Sequence, residues 1–216
     1  MKIKWYGHSS FGITTAAGIR IVTDPFVPGS YDGALAYKGG WEAADIVLQS
    51  HEHPDHTGGI VPGNPVVIKG PGTHKAKGLE VVGFAVKHDE NGGRERGENT
   101  LFVFAADGLK VVFAGDLGHV LTPEQVKAVG AVDVLFLPVG GHFTIDAAGA
   151  AKVAEQLNAQ VIIPMHYKTP ACGFPIAEVG EFLKGKTKVD RVAGVEVELT
   201  AGALAGPRIV VLDYVK

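Results

Sequence analysis

Short apolar runs separated by glycine-containing turns make up the first half of the chain. Residues 2–6, 10–15 and 19–23 alternate or are rich in β-formers, which predicts an antiparallel meander. Residues 44–49 form a continuous apolar run that leads into Ser50 and His51. Such a run predicts a buried strand whose end delivers a loop to a functional site. Further strands are predicted over residues 65–69 and 79–87.

The second half combines strands with helical patterns. Residues 100–105 and 109–114 predict a hairpin joined through Asp107 and Gly108. A helix over Pro123–Val129 is indicated by Thr122 as N-cap, proline at the first position and Gln125 completing a capping box. Two further strands are predicted over residues 132–138 and 160–164, and two further helices over 146–157 and 176–183. Two last strands, over 195–199 and 208–214, are expected to close the second sheet.

This order of strands followed by α/β units, read twice along the chain, indicates the fold class. Each sheet has an apolar face that must be buried against another layer. We therefore expect an α+β fold in which two mixed β-sheets pack face to face with helices outside. We also expect residues 1–216 to form one domain, because chains of 216 residues with 46% hydrophobic residues can build a single core.

Composition and charge narrow the function classes. The net charge is −3 and the cations are scattered, so nucleic acid is not an expected partner. The single cysteine, Cys172, rules out an internal disulfide framework and suits a reducing compartment. The chain has no signal-peptide pattern and no long apolar run, so we expect a cytoplasmic protein without membrane contact. Whether the protein forms a homo-oligomer stays open.

The most informative segment is HEHPDH at residues 51–56, with three histidines and one aspartate in six positions. Imidazole and carboxylate are common ligands of first-row metals. His51 and His53 should point the same way along an extended segment, with Asp55 and His56 on the next turn, which could feed two adjacent ions. The alternative is a histidine-rich exposed loop without metal.

Other predicted strands also end at ligand-type residues. His88 follows residues 79–87, Asp116 follows 109–114, and His166 follows 160–164. Each alone could be an ordinary hydrogen-bonded side chain. Together with HEHPDH they predict a preorganised dinuclear metal centre at one edge of the sandwich.

The sequence resembles the metallo-β-lactamase superfamily, and within it small metal-dependent hydrolases similar to ascorbate-6-phosphate lactonase. The resemblance covers nearly the whole chain, and HEHPDH followed in order by His, Gly-Asp and PMHY is its specific signal. The segments that carry it are GHSSF (7–11), TDPF (23–26), HEHPDH (51–56), KHDENGG (87–93), FAGDLGH (113–119), PVGGHFTID (138–146) and PMHY (164–167).

This resemblance implies a four-layer αββα sandwich and assigns ligands to two divalent metal ions. One ion would be held by His51, His53 and His88, the other by Asp55, His56 and His166, with Asp116 between them. Asp116 stands where true β-lactamases can carry cysteine. His53 stands where di-iron redox members carry glutamate, so the pattern favours hydrolases. Zinc suits the nitrogen and oxygen ligand set best, although Mn, Fe and Ni also fit.

The expected chemistry is hydrolysis of a small-molecule substrate, an anionic ester, lactone or phosphodiester, by hydroxide bridging two ions. Asp55, His119 and His8 are the catalytic candidates. His119 and His8 could donate protons or contact substrate, or they could orient ligands instead. Asp24 is expected to hydrogen-bond the ligand loop.

Several residues keep two interpretations. His142 could face the pocket or pack at the start of a helix, and Cys172 is interpreted as structural. Arg94, Arg96 and Lys168 could receive a carboxylate or phosphate or remain solvated. The loops over residues 31–41 and 94–99 should shape the substrate site.

Two other function classes remain open from sequence. A mononuclear-iron dioxygenase acting on a thiol derivative occurs in the same superfamily. A non-catalytic metal-binding module would require a degenerate site, whereas all seven ligand positions are intact.

Overall fold

The computed structural model describes residues 1–204 and 206–216, which form two β-sheets and three helices. In chain order the elements are β1 (Lys2–Gly7), β2 (Ser10–Thr14), β3 (Arg20–Thr23), β4 (Ile46–Gln49), β5 (Val66–Lys69), β6 (Gly72–Ala76), β7 (Leu79–Lys87), β8 (Glu98–Ala106), β9 (Leu109–Phe113), α1 (Pro123–Val129), β10 (Val134–Pro138), α2 (Ala147–Gln156), β11 (Val161–Met165), α3 (Val179–Leu183), β12 (Val189–Arg191), β13 (Glu196–Glu198) and β14 (Arg208–Val211).

Both sheets are mixed. The first has the order β13-β1-β2-β3-β4-β5, antiparallel at one side and parallel from β3 to β5. The second has the order β12-β14-β11-β10-β9-β8-β7-β6, with antiparallel hairpins from β6 to β9 and parallel pairing beyond β9. The expected two-sheet α+β sandwich is confirmed.

Strands β3 and β4 of the first sheet are buried on both faces, and successive side chains in each strand point to opposite faces. In β3, Ile21 belongs to the core between the sheets, whereas Val22 belongs to a separate cluster. In β4, Ile46 and Val47 divide in the same way. The second cluster is completed by residues from loops, chiefly Phe26, Leu35, Tyr37, Trp41, Phe174 and Ile176. Aromatic loops therefore cover part of this sheet.

The three helices in the described part of the chain all begin after residue 122, so the pattern of strands followed by helices does not occur twice as expected. Helix α1 begins at the predicted capping box, in which Gln125 N–H donates to Thr122 Oγ1 and Thr122 N–H to Gln125 Oε1. Helix α2 begins with Asp146 accepting from Gly149 N–H and buries Ala150 and Val153. It packs against β10 and α3.

Other differences from the sequence prediction lie near the C-terminus and at the sheet edges. Strand β13 was expected in the second sheet, but it pairs with β1 in the first sheet, with Ile3 opposite Val197. Strands β6 and β12 were not predicted, because both are short, exposed edge strands without an apolar run. Helix α3 starts later than residue 176, since Ala177 N–H donates to Gly140 O instead of entering a helix.

The described residues include no helix that combines the length and the apolar character needed to cross a membrane.

Candidate metal centre

Four strands deliver the predicted ligands to one edge of the sandwich. His51 follows β4, His88 follows β7, Asp116 follows β9 and His166 follows β11. Strands β9, β10 and β11 are parallel neighbours, so the carboxyl ends of β9 and β11 reach the same edge. All four side chains are buried. The rigid sheets therefore bring together residues that lie up to 115 positions apart in sequence (166 − 51).

The HEHPDH segment closes into a turn. His56 N–H donates to His53 O at 2.9 Å, and Pro54 O accepts from Val27 N–H at 3.0 Å. This differs from the extended segment expected for His51 and His53, because the chain bends directly after His51. The bend places His51 Nε2 only 3.1 Å from His53 Nδ1. A turn thus presents all four side chains of the motif to one small volume.

Asp116 lies at the centre of the cluster. Its Oδ2 atom is 3.1 Å from His56 Nε2, 3.2 Å from His88 Nε2, 3.2 Å from His166 Nε2 and 3.9 Å from His51 Nε2. Its backbone N–H donates to Asn99 Oδ1, and Asn99 Nδ2 donates to Ala114 O. This asparagine, which the sequence did not single out, fixes the turn that carries the carboxylate.

The ligand-type atoms on either side of Asp116 form two main groups. His51, His53 and His88 offer nitrogens that lie within 4.8 Å of one another. His8, Asp55, His56 and His166 do the same with three nitrogens and one carboxylate oxygen. The shared carboxylate between two ligand groups is an arrangement that can hold two neighbouring cations.

A second layer of hydrogen bonds fixes the imidazole orientations of His51 and His56. Asp24 Oδ2 contacts His56 Nδ1 at 2.7 Å and accepts from Ser50 Oγ at 2.6 Å, while its Oδ1 accepts from Ser50 N–H at 2.8 Å. Ser50 Oγ also contacts His51 Nδ1 at 2.9 Å. The Nε2 atoms of both histidines are therefore left to face Asp116. The prediction that Asp24 hydrogen-bonds the ligand loop is confirmed, whereas Ser50 was missed.

The backbone around the cluster takes conformations that ordinary residues avoid. His8, Asp24 and His166 have φ values of 52°, 36° and 51°. Such strain persists only where surrounding contacts overdetermine it, and it concentrates at functional sites. Gly115 also has a positive φ, and a Cβ there would clash with Asn99 Oδ1. Glycine is thus required for the turn that carries Asp116.

The protonation states follow from burial and from the charges in the cluster. Burial opposes ionisation of Asp116, but His166, His56 and His88 hold the pKa of its carboxyl well below the usual range. Burial of His56 is likewise overcome by Asp116 and Asp55, which raise the pKa of its imidazole. Burial lowers the pKa of His51 to about 2. The charged carboxylates and the neutral His51 suit cation binding, and a bound metal ion would replace the proton that the two carboxylates favour on His56.

The unpaired atoms provide a test of whether this cluster fits a cation. Asp116 Oδ1 is buried and makes no hydrogen bond to the described residues, and His56 Nε2, although 3.1 Å from Asp116 Oδ2, makes no well-aligned hydrogen bond to them. Leaving such groups unpaired costs about 1–3 kcal/mol each, and more for charged groups. Metal coordination would satisfy both atoms, and imidazole with carboxylate is a donor set that divalent first-row ions accept. The cluster therefore fits divalent metal.

Three of the four histidines outside the seven predicted ligands were functional candidates, and they differ in their surroundings. His8 is fully buried, and its Nε2 lies 3.1 Å from Asp55 Oδ2. His119 instead uses both ring nitrogens on the main chain: Lys87 N–H donates to Nε2, and Nδ1 contacts Val120 O. His142 is exposed and packs edge-on against Phe143. Only His8 of these three belongs to a ligand-type group of the described residues.

A cavity of about 220 Å³ opens onto the cluster. His53, Asp55, His88, Asp116 and His166 form its inner lining. Its mouth is lined by Tyr31, Phe143, Phe174 and Arg96. Tyr31 Oη donates to Asp55 Oδ1 at 3.2 Å. The sequence indicated the loops of Tyr31 and Arg96 but did not single out Phe143 or Phe174 as cavity residues, because isolated aromatic residues are usually core residues.

The remaining candidates lie elsewhere. Lys168 Nζ donates to Phe174 O at 2.8 Å, so it braces the loop behind the mouth. Arg94 is exposed on the loop after β7. Cys172 is buried in the cluster under the first sheet, is not in a disulfide, and burial raises the pKa of its thiol. A reactive cysteine would need the opposite shift, which agrees with its structural interpretation.

Comparison with known proteins places the cluster in context. Residues 2–166 match the family model of the β-lactamase superfamily domain. A metal-dependent hydrolase of the UPF0173 group from Pyrococcus abyssi is 31% identical, over 88% of this chain and 95% of its own length. The corresponding protein from Thermococcus onnurineus is 30% identical, over 78% of this chain and 85% of its own length.

Solved structures agree with the sequence matches. A protein from Thermotoga maritima, proposed to be a zinc-dependent hydrolase of the metallo-β-lactamase superfamily, is 40% identical with a TM-score of 0.82. That alignment covers 99% of both chains. An isothiocyanate hydrolase from Delia radicum gut bacteria has a TM-score of 0.67 but 16% identity, over 93% of this chain and all of its own, and it shows a shared fold alone.

Proposed function

Because this chain belongs to the β-lactamase superfamily and is a metal-dependent hydrolase, we propose that it hydrolyses a small anionic ester, lactone or phosphodiester at a two-metal centre. The observation that carries the proposal is the convergence of two ligand groups on the single buried carboxylate of Asp116. A lone metal site would not need a carboxylate in contact with both groups.

The geometry supports a specific division of the ligands. His51, His53 and His88 would hold one ion, and Asp55, His56 and His166 the other, with Asp116 between them. When bound, two divalent ions supply hydroxide at neutral pH and offset the negative charge that develops on the substrate. The nitrogen and oxygen donors favour zinc, while manganese, iron and nickel are compatible with the same set.

The protein's own contribution is to hold the side chains of these ligands in one orientation. Asp24 fixes His56, and Ser50 fixes His51, so that each imidazole presents Nε2 to the centre. Tyr31 and His8 approach opposite oxygens of Asp55, at 3.2 Å to Oδ1 and 3.1 Å to Oδ2. These contacts limit rotation of the Asp55 carboxylate next to the cavity.

The three catalytic candidates take different roles in this proposal. Asp55 lines the cavity, and although burial opposes its ionisation, His56 and His8 hold the pKa of its carboxyl well below the usual range, so it meets a bound substrate as an ionised acceptor. His8 touches Asp55 from behind and acts as a positioning residue. His119 is also a positioning residue, because its two ring nitrogens are engaged by the main chain next to His88. Lys87, whose N–H it accepts, directly precedes that ligand.

The test combines metal analysis with a hydrolysis screen. The protein is loaded with zinc, manganese, iron or nickel, and each form is assayed on lactones, phosphodiesters and thioesters. We expect two ions per chain by elemental analysis and turnover of at least one substrate. Chelation should abolish that turnover, and the metal that supports it should restore it.

Two results would contradict the proposal. Stoichiometric loading with a single ion would remove the shared role of Asp116. Oxygen consumption with a thiol substrate by an iron-loaded form, without hydrolysis of any compound, would favour the dioxygenase class instead.

A further inference from the structure

The mouth of the cavity has a chemistry that differs from the metal centre below it. Tyr31 meets Phe174 edge-on at 5.2 Å between ring centroids, and Phe174 meets Phe143 edge-on at 5.7 Å. The Arg96 guanidinium lies over the Phe143 ring, 5.7 Å from its centroid. Three aromatic rings thus form a continuous wall that ends in one cation.

We propose that Arg96 binds the anionic group of the substrate while the aromatic wall of Tyr31, Phe174 and Phe143 holds its apolar body. This inference rests on the proposed function, because it takes the cavity over the ligand cluster as the substrate cavity. It adds a substrate class, namely small molecules with an aromatic or similarly flat body and a carboxylate or phosphate. It also names Arg96 as the residue that selects this class.

Arg96 is available for such a role. Its side chain is 30% exposed, and its ion pair is with Glu95, at 3.4 Å between Nη1 and Oε2. Glu95 is 52% exposed and the pair is long, so it holds Arg96 weakly. Arginine has five N–H donors, which leaves most of them for a ligand. Arg96 and His53 also line a second cavity of about 510 Å³. The Arg96 side chain therefore lies between this cavity and the cavity over the ligand cluster.

The loop that carries Arg96 is fixed at its base. The carboxylate of Asp89 accepts four backbone N–H groups, from Asn91 and Gly93 on Oδ1 and from Glu95 and Arg96 on Oδ2, at 2.8–3.0 Å. Asp89 directly follows the ligand His88 and is buried. One carboxylate therefore sets the position of the Arg96 backbone relative to the metal ligands, which is the preorganisation that substrate selection requires.

The two other cations that the sequence singled out, Lys168 and Arg94, do not share this position. Lys168 donates to Phe174 O, and Arg94 is exposed and absent from the lining of the cavity. Arg94 lies on the same loop, two residues from Arg96, and removing either side chain changes the net charge equally. Arg94→Gln is therefore a matched control for Arg96→Gln.

The experiment measures binding of benzoate and of its neutral isostere benzamide to the metal-loaded protein by calorimetry. Arg96→Gln should weaken benzoate binding by about tenfold, the loss expected for a charge-assisted hydrogen bond at a partly exposed site. Benzamide binding should stay unchanged, and Arg94→Gln should bind both probes like the wild type. Arg96→Lys should lie between wild type and Arg96→Gln, since it keeps the charge but loses the planar fork.

The outcomes separate this inference from the proposed function. Equal weakening by Arg94→Gln and Arg96→Gln, equal loss of benzoate and benzamide, or no benzoate binding to the wild type would each overturn the role of Arg96. If benzoate binding depends on Arg96 but no metal-loaded form hydrolyses any substrate, the proposed function fails while the anion site remains.

Discussion

The metal-ligand cluster and the mouth of its cavity are built in different ways. The proposed ligands follow the ends of β4, β7, β9 and β11, and second hydrogen bonds from Ser50, Asp24 and Asn99 hold His51, His56 and Asp116. The mouth is built from loops, and Tyr31 there is 48% exposed. Its aromatic side chains contact one another through their rings, and Arg96 forms one weak ion pair with Glu95. Asp89 holds the backbone of the loop that carries Arg96.

This difference suggests that the cluster carries out the chemistry, whereas the mouth of the cavity selects the substrate. Groups that hold cations must keep their geometry within about 0.5 Å, so they lie directly at the ends of rigid strands or in the turn that β4 leads into. Groups that recognise a substrate can vary without harm to the fold, because exposed loops tolerate substitution. We therefore expect substitutions in the cluster to remove metal and turnover together, and substitutions at the mouth to change substrate binding alone.

The largest effect is expected for Asp116→Ala. The substitution removes the carboxylate that contacts both ligand groups, so at least one ion should be lost. Metal ions contribute several kcal/mol to the transition state, so turnover should fall by about 10³-fold or more. Elemental analysis and turnover on the substrate found in the screen are the measurements.

Asp213→Ala is the control, because Asp213 is exposed and lies outside the cluster. It should retain both ions and full turnover. Full metal occupancy in Asp116→Ala would show that this carboxylate does not bridge the two ligand groups.

A smaller effect is expected from the two positioning histidines, which are compared as His8→Gln and His119→Gln. His8 touches the ligand Asp55, so its loss should lower metal affinity or turnover by about 10–100-fold. His119 binds main-chain groups only, so its loss should cost about fivefold in turnover with metal retained, equivalent to one hydrogen bond of about 1 kcal/mol.

Chelator competition measures the affinity of each variant and steady-state kinetics its turnover. A drop in His119→Gln as large as in His8→Gln, at unchanged metal affinity, would return His119 to the list of proton donors. No change of either quantity in His119→Gln would remove it from the site.

The smallest effect is expected for Phe143→Leu at the mouth. This change removes the ring contacts with Phe174 and with the Arg96 guanidinium, each worth about 0.5–1.5 kcal/mol. KM should rise by about two- to tenfold while kcat and metal content stay constant. Phe84→Leu on β7 is the control, because Phe84 packs against the main core and does not line the cavity. Metal loss in Phe143→Leu would mean that the mouth and the cluster are one mechanical unit.

Much of the architecture could be predicted because strands and caps are local signals. The run before Ser50, the capping box at Thr122 and the cap at Asp146 each carry their structure in a few neighbouring residues. The prediction was wrong where the sheet to which a strand belongs depends on its pairing with a distant strand. Strand β13 joined the first sheet because its partner is β1, almost 200 residues earlier in the chain, and no local pattern specifies a partner at that separation.

The cytoplasmic location and the assignment of each ligand to an ion stay predictions, and whether the protein forms a homo-oligomer stays open. The metal analysis above addresses the ligand assignment, and the mass of the protein in solution gives its oligomeric state.

The sequence by itself determined which side chains can hold metal, since HEHPDH, His88, Asp116 and His166 carry donor atoms whatever surrounds them. Only the tertiary structure decided that Asp116 lies between two ligand groups, that His119 is bound to the main chain, and that Arg96 ends an aromatic wall. The physical reason is that ligand chemistry belongs to a residue, whereas proximity and orientation arise only when distant strands and loops pack together.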